Sequence, residues 1–221
     1  MSAIVPIPAP RVLYHNESTG REENPAEDQS LERTIAQIQQ GRQERYVEVV
    51  RVYQQAMYRY CLRLLGHRQD AEDAVQDIFV KAFEAIPRYR YTTGFSSWLY
   101  AIAHRHCLNQ LRNRNRQTRL LQRLFGSVPS AESPEQAMDS KLFSPPLMSA
   151  MAALSPEERS VIILRVFEER TYEELGAILG CKPEAAKKRF NRARMKVQRK
   201  WDKRREESGW NENDQSMHAK I

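Results

Sequence analysis

Long apolar runs are missing from this 221-residue chain, and no stretch approaches the roughly 18 residues that a membrane span needs. The amino-terminal stretch, with Pro6, Pro8 and Pro10, has no basic run followed by an apolar core, so it does not read as a secretory signal. Cysteine is scarce. Cys61, Cys107 and Cys181 are widely spaced, which argues against a disulfide framework and for a reducing compartment with small buried thiols. These absences together predict a cytoplasmic protein. Useful β-alternation is missing too, and no internal repeat is visible, so sandwiches, parallel sheets and solenoids are excluded. Acid is missing locally: between Ala85 and Ala131 there is no Asp or Glu, but eight Arg (88, 90, 105, 112, 114, 116, 119 and 123).

What is present is positive charge and helical period. The net charge is +7 and the pI near 9.4, which points to a polyanionic partner whose counterions are released on binding. A second basic run, Lys182 to Arg205, holds twelve Lys or Arg against Glu184 and Asp202. Two separated basic surfaces predict two contacts with nucleic acid.

The pattern divides the chain into an all-α protein of two small helical domains on a flexible linker. Residues 1–28, rich in Pro, Glu, Asn and Ser, read as disordered. Residues 29–117 form the first domain. Helical period runs from Leu31 to Leu65, with Tyr46, Val49, Val50, Tyr53, Met57, Tyr60, Cys61 and Leu64 inward. Gly66 closes it, and Asp70 is placed to cap the next helix. There Ala71, Ala74, Val75, Ile78, Phe79, Ala82, Phe83 and Ile86 make an apolar stripe that ends at Pro87. A loop, YRYTTGFSS, leads to a helix from Ser96 or Ser97 with Leu99, Ile102, Ala103, Cys107 and Leu111 inward. Residues 118–146 read as linker, with a short helix over 135–143. Residues 147–201 form the second domain, and 202–221 a loose tail.

The second domain carries the sharper motif. In TYEELGAILGCKPEAAKKRFNRARMKV, Thr171 and Glu174 have capping-box spacing, and Leu175, Ile178 and Leu179 share a face. Gly180 suits the left-handed residue after a helix, and Pro183 suits a first turn. Ser155, Pro156 and Glu158 make another capping box ahead of Val161, Ile162, Leu164, Val166 and Phe167. In the last helix Ala186, Phe190, Ala193 and Val197 turn inward, so Lys187, Lys188 and Asn191, flanked by Arg192, turn outward. That is how a recognition helix is presented to a major groove, where an isolated basic run would be only a solvated face.

The first domain offers a different grip. Tyr89, Tyr91 and Phe95 lie in the acid-free loop with Arg88 and Arg90, and Trp98, Arg105, Asn109 and Arg112 share the side of the following helix opposite its apolar stripe. Aromatics interleaved with Arg suit unstacked bases, since every base has a π-face; the competing reading is that Phe95 and Trp98 are core. Glu72, Asp73, Gln76, Asp77 and Glu84 line the outer face of the preceding helix. Such a face repels phosphate, so it suits a protein partner if it is not merely solvated.

The block DAEDAVQDIFVKAFEAIPRYRYTTGFSSWLYAIAHRHCLNQLR resembles region 2 of bacterial sigma-70 family sigma factors, and LSPEERSVIILRVFEERTYEELGAILGCKPEAAKKRFNRAR resembles their region 4. The short linker between them is similar to that of the extracytoplasmic function group. The resemblance implies a non-enzymatic alternative sigma factor that binds core RNA polymerase, recognises the −35 and −10 promoter elements and assists melting, with no cofactor and no metal. It implies that Asp73, Gln76 and Asp77 dock on the polymerase clamp helices, and that Lys187, Lys188, Asn191 and Arg192 read the −35 duplex. Tyr89, Tyr91, Phe95, Trp98, Arg105, Asn109 and Arg112 would hold flipped −10 bases. An anti-sigma factor is the further partner it implies. Two positions depart from the family: Arg105 stands where Asn is common after WLYxIAx, and KPEAAKK replaces a PVGTVKS-like run, so Lys188 adds a phosphate contact or shifts the bases read.

Three rivals remain. A stand-alone helix-turn-helix regulator would need an effector pocket or a phospho-acceptor at a strand end, and the first domain offers no strand. A nuclease built on Asp70, Glu72, Asp73 and Asp77 lacks a His or Lys beside them. Metal binding by His104, His106 and Cys107 is disfavoured because His106 is expected to turn toward the core and His104 away from it.

Overall fold

The computed structural model describes residues 25–91, 94–125 and 145–208. Among them there is no strand, and the helices form two bodies. The first contains α1 (Pro25–Gln39), α2 (Tyr46–Leu65), α3 (Arg68–Ala85) and α4 (Phe95–Phe125). The second contains α5 (Pro145–Ala152), α6 (Pro156–Ile162), α7 (Tyr172–Leu179) and α8 (Pro183–Ser208).

The apolar stripes are where the period puts them. Val49, Met57, Tyr60, Cys61 and Leu64 on α2 meet Ala71, Ala74, Ile78, Phe79 and Ala82 on α3 and Leu99, Ala103 and Cys107 on α4, all almost wholly buried. The Tyr46 hydroxyl, beside the rings of Phe79 and Phe83, donates to the Phe79 carbonyl at 2.7 Å. The Cys61 and Cys107 thiols are buried and free, 3.6 Å apart, and burial pushes the Cys61 thiol pKa well up.

Several boundaries differ from the sequence reading. The period from Leu31 to Leu65 is not one helix: Gly41 at φ 102° breaks it, and a 3-10 turn at Gln43–Arg45 restarts the chain before Tyr46. His67, not Asp70, precedes α3. Asp70 sits in the first turn, where it favours the helix dipole and pairs with Arg114 at 3.3 Å. Helix α1 begins at Pro25, α4 begins at Phe95 and runs past residue 117, and α8 runs past 201. The short helix expected over 135–143 lies outside the described residues.

The second body follows its punctuation closely. Both capping boxes are complete: the Glu158 and Glu174 amides donate to Ser155 and Thr171 at 3.2 Å, and both glutamates accept in return. Gly180 takes φ 64°, φ-positive as a helix-ending glycine should be. Gly176 has a separate role. A Cβ there would lie 2.7 Å from the Cys181 carbonyl oxygen and 3.2 Å from the Pro183 nitrogen, so glycine lets α7 and α8 meet at the turn. One irregularity was unforeseen. After α6 the chain widens into a π turn at Ile163–Phe167, and Glu169 then takes φ 51°.

Candidate nucleic-acid interface

On α8, Ala186, Phe190 and Ala193 are buried and Val197 is half-buried against the core. Lys187, Lys188, Asn191 and Arg192 are consequently exposed together on the opposite side. The helix begins at Pro183 behind the Gly180 turn, and Tyr172 packs beside Phe190 with ring centroids 6.2 Å apart. Lys187 lies 5.8 Å above the Tyr172 ring, which steadies the first of the four side chains. The result is a rigid basic face with an amide-bearing residue at its centre, suited to both phosphate and base edges.

The loop side chains of the first body separate into two groups. Tyr89 and Phe95 are 8 % and 3 % exposed, and with Tyr53 and Trp98 they form an aromatic nest with centroids 5.0–5.7 Å apart. Tyr91, by contrast, is 64 % exposed, and Arg88 and Arg90 are exposed around it. The sequence reading favoured one stacking platform for all of the aromatics, with Phe95 and Trp98 as core residues the alternative, and for Phe95 the alternative holds. In the structure Tyr89 and Phe95 are its buried footing, because the loop folds back on Tyr53 of α2, a non-local contact that no periodicity reports. Trp98 is half-buried at the rim. Burial raises the Tyr89 pKa to about 12, and its buried hydroxyl meets no hydrogen-bond partner among the described residues.

Along α4, Arg105, Asn109 and Arg112 are exposed, and Arg105 donates back to the Ala101 carbonyl at 3.1 Å. Gln39 carries no signal in periodicity or motif. From the end of α1 its amide donates to the carbonyls of Ile86 (2.9 Å) and Tyr89 (3.0 Å), fixing where the aromatic loop leaves α3.

The acidic Asp73 and Asp77, with the neutral amide of Gln76 between them, project from α3 next to Val80, which is 47 % exposed. Gln69 donates to Asp73 at 3.1 Å. Among the described residues no group of three His, Cys, Asp or Glu side chains could hold a metal ion, and Asp70 is already matched with Arg114.

The two histidines exchange places relative to expectation. His104 is buried, and His106 is half-buried beside Lys81 with its Nε2 3.7 Å from Asp77. The reason is that α4 has a second covered side, where the second body packs. His104 Nδ1 and the Tyr60 hydroxyl both lie 2.8 Å from the Ser160 hydroxyl of α6. Glu168 accepts from Tyr100 (2.6 Å) and Arg63 (2.9 Å). Burial lowers the His104 pKa to about 4, with Glu157 opposing and Arg112, Arg105 and Arg189 assisting.

Residues 49–117 match the family model described as Sigma-70 region 2, and residues 146–197 match Sigma-70, region 4. The chain is 31 % identical over 162 residues to the RNA polymerase sigma factor YlaC of Bacillus subtilis, covering 72 % of this chain and 94 % of that protein. It is 33 % identical over 152 residues to the ECF RNA polymerase sigma factor SigE of Mycolicibacterium smegmatis, covering 68 % of this chain but 59 % of that longer protein. Among solved structures it is similar in fold to CnrH in complex with the cytosolic domain of CnrY, with TM-score 0.56 and 23 % identity over 76 % of this chain and 95 % of that one. The sigma factor RpoE with the anti-sigma factor NepR from Bartonella quintana is similar to the same degree, with TM-score 0.56 and 24 % identity over 71 % and 96 %.

With two helical bodies in that order, each matched to its own region, the chain belongs to the sigma-70 family of RNA polymerase sigma factors, in the extracytoplasmic function group. It is an alternative sigma factor of transcription initiation, not an enzyme and not a stand-alone regulator.

Proposed function

We propose that this sigma factor works in the cytoplasm, joins core RNA polymerase through the acidic face of α3, and divides promoter reading between its two bodies. Asp73, Gln76 and Asp77 make the polymerase contact, with Val80 as their apolar neighbour. Lys187, Lys188, Asn191 and Arg192 enter the major groove of the −35 element. Tyr91, Trp98, Arg105, Asn109 and Arg112 receive the opened −10 strand, on a footing made by Tyr89 and Phe95. Stacking on an aromatic contributes about 1–3 kcal/mol per base, comparable to the cost of extruding one. An anti-sigma factor holding the free protein is supported by the similar fold of RpoE, a sigma factor seen in complex with the anti-sigma factor NepR.

The observation that carries this reading is the α8 face: four polar or cationic side chains exposed together behind a buried stripe and a glycine turn. In transcription in vitro with core polymerase, Lys187→Ala and Asn191→Ala each lower promoter-specific initiation by about tenfold, as expected for losing about 1–3 kcal/mol per base-edge contact. Retention of polymerase in a pull-down stays at the level of the unaltered protein. Equal loss of both would remove α8 from promoter reading.

A further inference from the structure

The acidic face of α3 carries a countercharge of its own, and that charge is turned elsewhere. Lys81 stands four residues after Asp77 and three before Glu84, the spacings at which a lysine and a carboxylate on one helix ordinarily meet. Among the described residues it forms an ion pair with neither. Its ammonium instead donates to Nδ1 of His106, 2.5 Å away on the neighbouring α4. An ammonium has only donors, so Nδ1 accepts, the ring is neutral and Nε2 carries its proton. That Nε2 faces the Asp77 carboxylate at 3.7 Å, too long for a hydrogen bond. One imidazole therefore stands between a carboxylate and the lysine that would otherwise close on it.

His106 is held in that place by packing. It flanks the buried stripe of Leu99, Ala103 and Cys107, and its side chain is 12 % exposed, against 65 % for Asp77. Burial and the Lys81 ammonium keep its pKa below the ordinary histidine value, with Asp77 opposing. A neutral ring gives Asp77 no compensating charge, so the carboxylate stands exposed beside Gln76 and Val80 with its charge uncancelled. Surface ion pairs add little stability. Diverting Lys81 thus takes little from the fold, while it changes the charge that an approaching basic surface meets.

We propose that His106 is a spacer that sets the charge of the polymerase-docking face: by holding Lys81 it leaves Asp77 free for a basic patch on the polymerase. It is a positioning residue, acting through Asp77 and making no contact with the polymerase itself. The docking consequence rests on the polymerase contact proposed above; the spacer does not.

Two measurements on the full chain test this. In the first, without polymerase, a water-soluble carbodiimide joins carboxylates to amines in direct contact, and mass spectrometry of the digested chain reads the Asp77–Lys81 amide. That amide is expected to be scarce in the unaltered chain and in His106→Gln, whose side chain can still accept from Lys81. It is expected to rise severalfold in His106→Ala and in His106→Leu, which keeps the bulk and loses the acceptor. Equal yields in all four overturn the spacer. In the second, association with core polymerase is timed at low and high salt. His106→Leu is expected to associate about fivefold more slowly at low salt, with the difference fading at high salt, because charge steering is what a freed lysine disturbs. Lys81→Gln in that background restores the rate. A slowing that salt leaves untouched, or that Lys81→Gln does not reverse, is a packing defect and overturns the docking role. Asp77→Asn separates the two claims. If it leaves association unchanged while the amide appears in His106→Leu, the α3 contact with polymerase fails and the spacer stands.

Discussion

Single residues in this protein are set by what surrounds them more than by their own chemistry. Gly176 is the clearest case, a glycine with ordinary helical backbone that is required because the turn leading into the next helix passes within 2.7 Å of where a Cβ would stand. Its obstacles are backbone atoms, which cannot swing aside. Gly176→Ala is therefore expected to destabilise the second body by about 1–3 kcal/mol, the usual cost of overpacking. Thermal or denaturant unfolding followed by circular dichroism measures it, and an unchanged midpoint would mean that the α7–α8 turn relaxes without cost. Gly180, four residues on, was legible from sequence because a helix-ending glycine has a recognisable place. Gly176 was not, since its constraint is a contact made only after folding.

Among the elements, the apolar stripes of α3 and α8 and the two capped starts of the second body follow directly from period and cap. A single buried face is what 3.6-residue spacing reports well. Helix α4 is harder to read because it is covered on two sides. Leu99, Ala103 and Cys107 mark the side toward α2 and α3, while Tyr100 and His104 are covered by the second body. Polar residues at a buried interface leave no apolar signature, so His104 reads as exposed until the structure is seen. The loop aromatics show a similar limit: chemistry identified the cluster, and folding decided that Tyr89 and Phe95 lie below while Tyr91 lies above. Trp98 sits between these layers. Trp98→Ala is expected to leave closed promoter complexes forming normally while cutting the permanganate reactivity of unpaired thymines severalfold. Normal reactivity would return Trp98 to a purely structural role.

For the whole molecule, the seam between the bodies is sensitive to protons. His104 faces Tyr60 from α2 and Ser160 from α6, with Glu157, Arg112, Arg105 and Arg189 contributing charge. Its pKa in the seam is about 4, against about 6.5 when solvated. The solvated form therefore gains a proton first on acidification. The stability this group gives the seam is fully present above about pH 6.5 and is lost as pH falls toward 4; it is shared between the contact with α6 and the cover that Tyr60 of α2 provides. Energy transfer between labels on the two bodies is expected to decline between pH 7.5 and 5 in the unaltered protein and to be flat in His104→Gln. A decline of equal size in His104→Gln would assign the proton to another group.

The amide of Gln39 has its own consequence. Residue 39 precedes the matched family region, which begins at 49, yet it grips main-chain carbonyls at positions 86 and 89. A fragment trimmed to that region would surrender both tethers and set the mouth of the aromatic nest adrift. Whatever tugs, clips or shelters α1 thus has a mechanical lead, fifty residues long in sequence and one side chain long in space, to the loop proposed above to receive the opened strand.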